Sequence, residues 1–427
     1  MMQLRLYNLR PMARLKNTLL FLAVLCLACG NSPHARTPQA DPPPGGIRVG
    51  AERFDQYAGL LKGKRVGIVT NQTGTVTYDS IFHPPDNDQA RHQEAYKRKT
   101  VHIVDFLLEN KVNLTAIYAP EHGFRGTADA GETIKDGRDT KTGLPIISLY
   151  GNNKKPSPQQ LAAVDVMLFD LQDVGARFYT YISTLHYVME ACAESDIPLI
   201  ILDRPNPNNG IIDGPVLDVA HKSFVGMHPI PVLHGMTIGE YGKMILGEKW
   251  AKTTGLDLTV IPCADYSRDM AYKLPVKPSP NLPNDRAVNL YASLCFFEGT
   301  NVSIGRGTDK QFQVYGSPFL PDEGYSFTPQ PNEGAKNPPH NGKRCHGRDL
   351  SAHPRLEKLE IKWLMEAYSK TADKKSFFNN FFVKLAGTDE LRKQIESGKS
   401  EAEIRKSWQS GLDAFKAIRS KYLLYPN

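Results

Sequence analysis

A chain of 427 residues with 41% hydrophobic and 23% charged residues has the make-up of a folded globular protein, long enough for two domains. Its net charge of +7 is concentrated at the start: Arg5, Arg10, Arg14 and Lys16 precede the first acid, which leaves 7 − 4 = +3 from residue 30 onward. So mild a balance, with no basic stripe interleaved with aromatics, argues against nucleic acid as a partner.

Those basic residues lead into the apolar run TLLFLAVLCLA (18–28) and then Cys29-Gly30-Asn31-Ser32. A positive segment, a short apolar run and a small residue before the cut make an export signal of residues 1–29. The run is too short to span a bilayer comfortably. Ala28-Cys29 with a leucine just upstream looks like a lipobox, so Cys29 is expected to be acylated and to tether the protein at the periplasm or outer membrane. A soluble exported form is the alternative. Residues 30–46, polar and proline-rich, read as a flexible linker.

From residue 47 apolar runs alternate with amphipathic stretches. Strands are expected at Arg65–Thr70, Leu114–Ala119, Pro145–Leu149, Val166–Leu171, Leu199–Leu202 and Leu258–Pro262, with helices near 101–110, 157–164, 180–195 and 237–250. Continuous apolar strands alternating with helices predict an α/β, Rossmann-like, mostly parallel sheet domain over 47–263. The polar segment 78–99 reads as a surface insertion. Residues 264–427 change character, with proline-rich loops and then helices near 355–370, 389–397 and 401–421, and are expected to form a smaller α+β subdomain with a cleft between the two. Cys192, Cys263, Cys295 and Cys345 lack a CxxC pair, which disfavours zinc and suggests buried thiols over a disulfide.

Polar turn motifs fall at the carboxyl ends of four expected strands: Asn71-Gln72-Thr73-Gly74, Pro120-Glu121-His122-Gly123, Asp170-Leu171-Gln172-Asp173 and Asp203-Arg204-Pro205-Asn206. Open α/β sheets bind ligands at that edge. Glu121, after an apolar strand and a proline, is the candidate acid, with His122 as its neighbour or a rival acid–base. Asp129 and Glu132 in the following glycine-rich loop stay undecided between surface and function. Arg177, Tyr179 and Tyr181 fall at a helix start, where an anion or sugar could bind. Further on, FFEGTNVSIGRGT (296–308) offers Glu298 as a second carboxylate, the pair that glycoside hydrolysis uses, with Asn301 and Arg306 beside it. Asp170 and Asp173 are its rivals. There is no G-x-S-x-G, no Walker A loop and no H-E-x-x-H, and no metal or other cofactor is expected.

At these motifs the sequence resembles the bacterial exo-β-N-acetylmuramidases of the NamZ type. The resemblance runs through VGIVTNQTG (66–74), APEHGFRG (119–126), DLQDVGARFYTY (170–181), DRPNPNNG (203–210), HGMTIGEY (234–241), SPNLPN (279–284), FEGTNVSIGRGT (297–308) and YLLY (422–425). It implies release of N-acetylmuramic acid from the non-reducing end of peptidoglycan fragments, with the glutamate of PEHG, Glu121, as general acid. A muramoyl residue carries a lactyl carboxylate, for which Arg125, Arg177 and Arg306 are the candidates, while Asn71, Tyr179, Tyr181, Asn206 and Asn301 are candidate sugar contacts. The partners implied are peptidoglycan-derived saccharides, with a membrane only through the lipid anchor. The competing reading is a non-catalytic envelope protein that binds muropeptides in the same cleft.

Overall fold

The expected apolar runs form the six parallel strands of one sheet: β1 (Val66–Thr70), β2 (Leu114–Ala119), β3 (Pro145–Ser148), β4 (Val166–Asp170), β5 (Leu199–Leu202) and β6 (Leu258–Ile261). Each lies within a residue of its expected bounds. The computed structural model describes residues 46–82, 95–125, 132 and 136–426, so the export signal, Cys29 and Asp129 lie outside the described residues.

The strands order as β6-β5-β4-β1-β2-β3, all neighbours parallel, with a two-residue antiparallel strand, Gly137–Arg138, beyond β3. The chain builds outward from β1 to β3, returns to the other side of β1, and continues to β6. The order therefore reverses between β1 and β4, as in doubly wound sheets. Alternate residues sort to the two faces. Val69, Phe169, Leu199 and Ile201 join one core cluster, whereas Ile68, Leu168, Ile200 and Leu202 join the other. With both faces covered, β1, β4 and β5 are buried at every position, which is why they read as unbroken apolar runs.

Part of the segment expected as a polar insertion is regular structure. Thr75–Phe82 pairs antiparallel with Ala95–His102, from Thr75 opposite His102 to Phe82 opposite Ala95, and residues 83–94 between them lie outside the described residues. Three helices also escape the sequence pattern: Phe54–Leu61, Asp285–Leu294 and Phe381–Ala386. The second is buried at every residue from Ala287 to Leu294, the polar Asn289 and Ser293 included, so its polar positions do not form a solvent face. Its start is nonetheless capped, since Asn284 Oδ1 accepts from Ala287 N at 2.9 Å.

Beyond residue 264 a small antiparallel sheet (Val314–Ser317, Ser326–Phe327 and Cys345–Asp349) accompanies helices Lys362–Lys370, Glu390–Glu396 and Glu401–Arg419. The larger core cluster runs from Phe169 and Leu185 through Phe296 and Phe382 to Trp408. Cys192, Cys263, Cys295 and Cys345 are all buried and free. Among the described residues, no helix is long and apolar enough to cross a membrane.

The chain end is latched to the sheet's carboxyl edge. Asp203, just after β5, accepts from Tyr425 Oη at 2.5 Å, Thr237 Oγ1 at 2.7 Å and Gly239 N at 2.7 Å. Where the strand order reverses, Arg204 grips Asp170 with two bonds, Nε to Oδ1 at 2.6 Å and Nη2 to Oδ2 at 2.9 Å, and reaches Thr75 O at 3.0 Å. Their side chains are 1% and 0% exposed. Burial alone would lower the Arg204 guanidinium, and the adjacent Asp170 carboxylate more than reverses that. Removing one partner strands the other charge in the interior. Arg204→Met should therefore lower the unfolding free energy by about 3–5 kcal/mol, and adding Asp170→Leu should recover part of that loss in urea unfolding. Two losses that simply add would show that the pair is not coupled.

Candidate active site

After β2 the chain turns sharply: Gly123 N donates to Pro120 O at 3.0 Å, and His122 takes the left-handed conformation with φ 72°. A side-chain-bearing residue held there marks a locally strained turn, of the kind found at functional sites. The turn delivers the Glu121 and His122 side chains to a cavity of about 390 Å³. After β4, the segment entering helix Tyr181–Glu194 brings Phe178, Tyr179 and Thr180 to the same cavity. Thr180 Oγ1 donates to Glu121 Oε2 at 2.7 Å, and both residues are buried.

The later half of the chain supplies the remaining walls. Glu298 lines the cavity from the short helix Cys295–Gly299, and Arg306 holds it: Nε lies 2.7 Å and Nη2 2.6 Å from Oε1. Cys295 Sγ donates to Glu298 Oε2 at 3.6 Å. Burial alone would lower the Arg306 guanidinium, but Glu298 beside it raises it overall. Burial, reinforced by the Glu298 charge, lifts the Cys295 thiol well above its usual range, so it stays a neutral donor. The Arg306 guanidinium lies over the Phe312 ring at 5.2 Å, and its Nη1 has no hydrogen-bond partner. Among the described residues, Glu121 and Glu298 are the two carboxylates of the lining.

Of the other expected site residues, only Tyr179 lines this cavity. Its hydroxyl donates to Pro278 O at 2.8 Å, and Tyr181, which is fully enclosed, donates to the same oxygen at 3.3 Å. Asn71 Nδ2 donates in turn to Tyr181 Oη at 2.6 Å, and Gln72 Nε2 reaches Lys277 O and Pro278 O. Asn71 and Tyr181 therefore clamp the loop that carries Ser279 and Asn281 to the cavity, instead of touching a ligand.

The expectation for Arg177 is corrected. It is completely buried and donates to Pro215 O, Ile230 O, Leu385 O and Ala386 O, all at 2.7–2.8 Å. Burial pulls its guanidinium down to about 9. With those carbonyls around it, no anion can approach; its work is to fasten the loop after β4 to helix Phe381–Ala386, which lends Phe381 and Leu385 to the cavity wall. Arg125 also lies off the cavity, exposed, paired with Asp139 and stacked on the Phe124 ring.

Asp170 is occupied by Arg204. Asp173 accepts from Gly175 N at 2.7 Å and lies 3.6 Å from His234, away from the lining. Asn206 accepts from Asn208 N and donates to Met236 O, packed so closely on Gly175 that a Cβ there would meet its Oδ1 at 2.3 Å. Asn301 lies outside the lining, with its carbonyl receiving Ser317 Oγ and His340 Nε2. Glu132 pairs with Lys336 at 2.6 Å and is likewise outside it. Glu121, His122, Tyr179, Glu298 and Arg306 are thus the expected residues that the fold brings together.

Sequence reasoning missed Thr180, Asn281, Tyr291 and Phe224. Asn281 is almost wholly buried; its Nδ2 donates to Gly334 O at 2.5 Å and its Oδ1 has no partner. Its signal was the SPNLPN motif, which carries no charge. Phe224 reaches the wall from a tight turn in which Ser223 and Gly226 exchange backbone hydrogen bonds, and an aromatic in a loop gives no sequence cue to its target. Among the described residues, no group of His, Cys, Asp and Glu is placed to hold a metal ion.

Two family profiles match the chain: exo-β-N-acetylmuramidase NamZ, N-terminal, over residues 66–286, and exo-β-N-acetylmuramidase NamZ, C-terminal, over residues 289–425. The peptidoglycan β-N-acetylmuramidase NamZ of Bacillus subtilis (strain 168) is 37% identical over 430 residues, spanning 93% of this chain and 95% of that protein. Two crystal structures of DUF1343 family proteins from Bacteroides fragilis NCTC 9343 are similar throughout. One has a TM-score of 0.77 at 44% identity and the other 0.71 at 28%, each match covering 89% of this chain and 99% of that one.

Proposed function

The chain belongs to the exo-β-N-acetylmuramidase NamZ family, and on that premise we propose that it is an exo-acting glycoside hydrolase releasing N-acetylmuramic acid from the non-reducing end of peptidoglycan fragments. The observation that carries this reading is the meeting of Glu121 and Glu298 in one cavity, although 177 positions separate them in the chain (298 − 121). Glycosidic bonds break through an oxocarbenium-like transition state, served by one carboxyl group that protonates the leaving oxygen and another that assists the anomeric carbon or water.

Glu121 takes the first role and Glu298 the second. The Arg306 fork on Glu298 Oε1 fixes that carboxylate in place, as a group that must meet developing positive charge requires. Aromatic side chains including Tyr179, Tyr291 and Phe224 offer apolar faces to a sugar ring. Arg306 also suits the lactyl carboxylate, because it lines the cavity while Arg125 and Arg177 lie elsewhere. The basic and apolar start of the sequence supports export, with acylation of Cys29 holding the enzyme at the membrane surface.

Glu121→Gln and Glu298→Gln should each keep the fold and lower turnover of a disaccharide with non-reducing N-acetylmuramic acid by about 10²- to 10⁴-fold. Product release unchanged by Glu121→Gln would remove it from the acid role, and tight sugar binding with no product from the wild type would favour a binding protein. Arg306→Met should raise KM for the muramic substrate more than for a glucosamine analogue without the lactyl group; equal effects would leave the carboxylate to another residue. Cys29→Ala should move the exported protein from the membrane fraction to the soluble one, and unchanged fractionation would rule out the lipid anchor.

A further inference from the structure

Thr180 occupies the N-cap position of helix Tyr181–Glu194, yet its side chain makes no capping bond. A threonine there ordinarily accepts from a backbone N–H of the first turn, which satisfies one of the helix's orphan donors. Here the hydroxyl turns instead to the cavity and donates to Glu121 Oε2 at 2.7 Å. Both residues line the cavity and both are about nine-tenths buried, Glu121 at 8% exposed and Thr180 at 8%. The backbone around Thr180 is independently fixed, since its carbonyl accepts from Ser183 N at 3.0 Å and Thr184 N at 2.9 Å.

We propose that Thr180 is a positioning residue for the acid step: its hydroxyl holds Glu121 through Oε2 and stabilises the carboxylate that Glu121 becomes once its proton has passed to the glycosidic oxygen. The inference rests on Glu121 being the general acid. A protonated carboxyl has one O–H and its second oxygen accepts. In the step itself the Glu121 carboxyl O–H bond breaks and the proton moves to the glycosidic oxygen. The C1–O bond cleaves with its electron pair on that oxygen, and Glu121 becomes a carboxylate. Thr180 then stabilises the carboxylate it faces, because a hydroxyl donor to an ionised acceptor makes a stronger bond than one to a neutral acceptor. Its contribution therefore grows along the reaction coordinate, which is the condition for acceleration.

This role depends on how much the leaving group needs a proton. A sugar alcohol leaves poorly and requires it, whereas a nitrophenolate leaves without much help. Thr180→Val, which keeps the shape and removes the hydroxyl, should lower kcat/KM about 10- to 100-fold on the disaccharide and only a few-fold on a nitrophenyl muraminide. Thr180→Ser, which restores the donor, should return the disaccharide rate to within a few-fold of wild type. A merely structural role would lower both substrates alike, and that result would overturn the proposal, as would failure of serine to rescue a folded valine variant.

Should Thr180→Val fail to fold, the same comparison with Thr180→Ser and Thr180→Ala decides, since serine should keep the wild-type ratio of the two substrates and alanine should lose it. Glu121→Ala separates this inference from the reading beneath it. If Glu121→Ala shows no dependence on leaving group, the acid assignment fails. If it does and Thr180→Val does not, only the role of Thr180 fails.

Discussion

A bidentate ion pair with almost no exposure, Asp170 with Arg204, occupies the place where the strand order of the sheet reverses. In an open α/β sheet that crevice is where a ligand ordinarily binds. Here the neighbouring polar groups are engaged as well: Asn71 Oδ1 accepts from Thr73 N and Oγ1, Thr73 Oγ1 accepts from Gln172 N, and Asn71 Nδ2 holds Tyr181. Groups tied to one another in this way are held in place by their neighbours and not presented to a ligand. The carboxyl edge therefore becomes a foundation, and the cavity forms to one side, where the loops after β2 and β4 meet the later half of the chain.

That constraint explains why the motifs of the sequence divide as they do. DRPNP looks like a ligand loop, with an acid, a base and an amide at a strand end. In the fold Asp203 receives the chain terminus through Tyr425, Arg204 neutralises Asp170, and Asn206 braces the turn around Gly175. Buried charges demand partners and hydrogen bonds, so a cluster of ionisable residues next to a core is as much a signature of internal satisfaction as of chemistry. Arg177 is the clearest case. Its position at a helix start suggested an anion site, but four carbonyls, from two loops and the end of helix Phe381–Ala386, converge on its guanidinium.

The strands were legible because two buried faces force unbroken apolar runs, and β2 and β5 have the bounds expected of them. What hid was the helix Asp285–Leu294, whose polar Asn289 and Ser293 are buried along with its apolar residues, and a hairpin whose strands are largely polar, Thr75–Phe82 with Ala95–His102. The site was half legible for a related reason. Glu121, His122, Glu298 and Arg306 announce themselves by charge beside glycine and proline. Thr180 and Asn281 are neutral residues whose importance lies in a single direction, a hydroxyl aimed at Glu121 and an amide tied to Gly334, and direction is a property of the folded chain alone.

The guanidinium of Arg306 shows why that half of the site needs arginine and not a generic cation. Nε and Nη2 both reach Glu298 Oε1, the ring of Phe312 supports the planar group at 5.2 Å, and Nη1 is buried without a partner. A lysine ammonium at the same place would be a point charge: it could pair with Glu298, but it would hold no planar stack. One rigid fork can thus set a carboxylate and line the cavity at once. A carboxylate-bearing sugar would meet Arg306 in a geometry already fixed by Glu298, so recognition of the substrate and placement of the second carboxylate would share one residue. Under the proposed function, that economy would tie specificity for an acidic sugar to the catalytic arrangement itself.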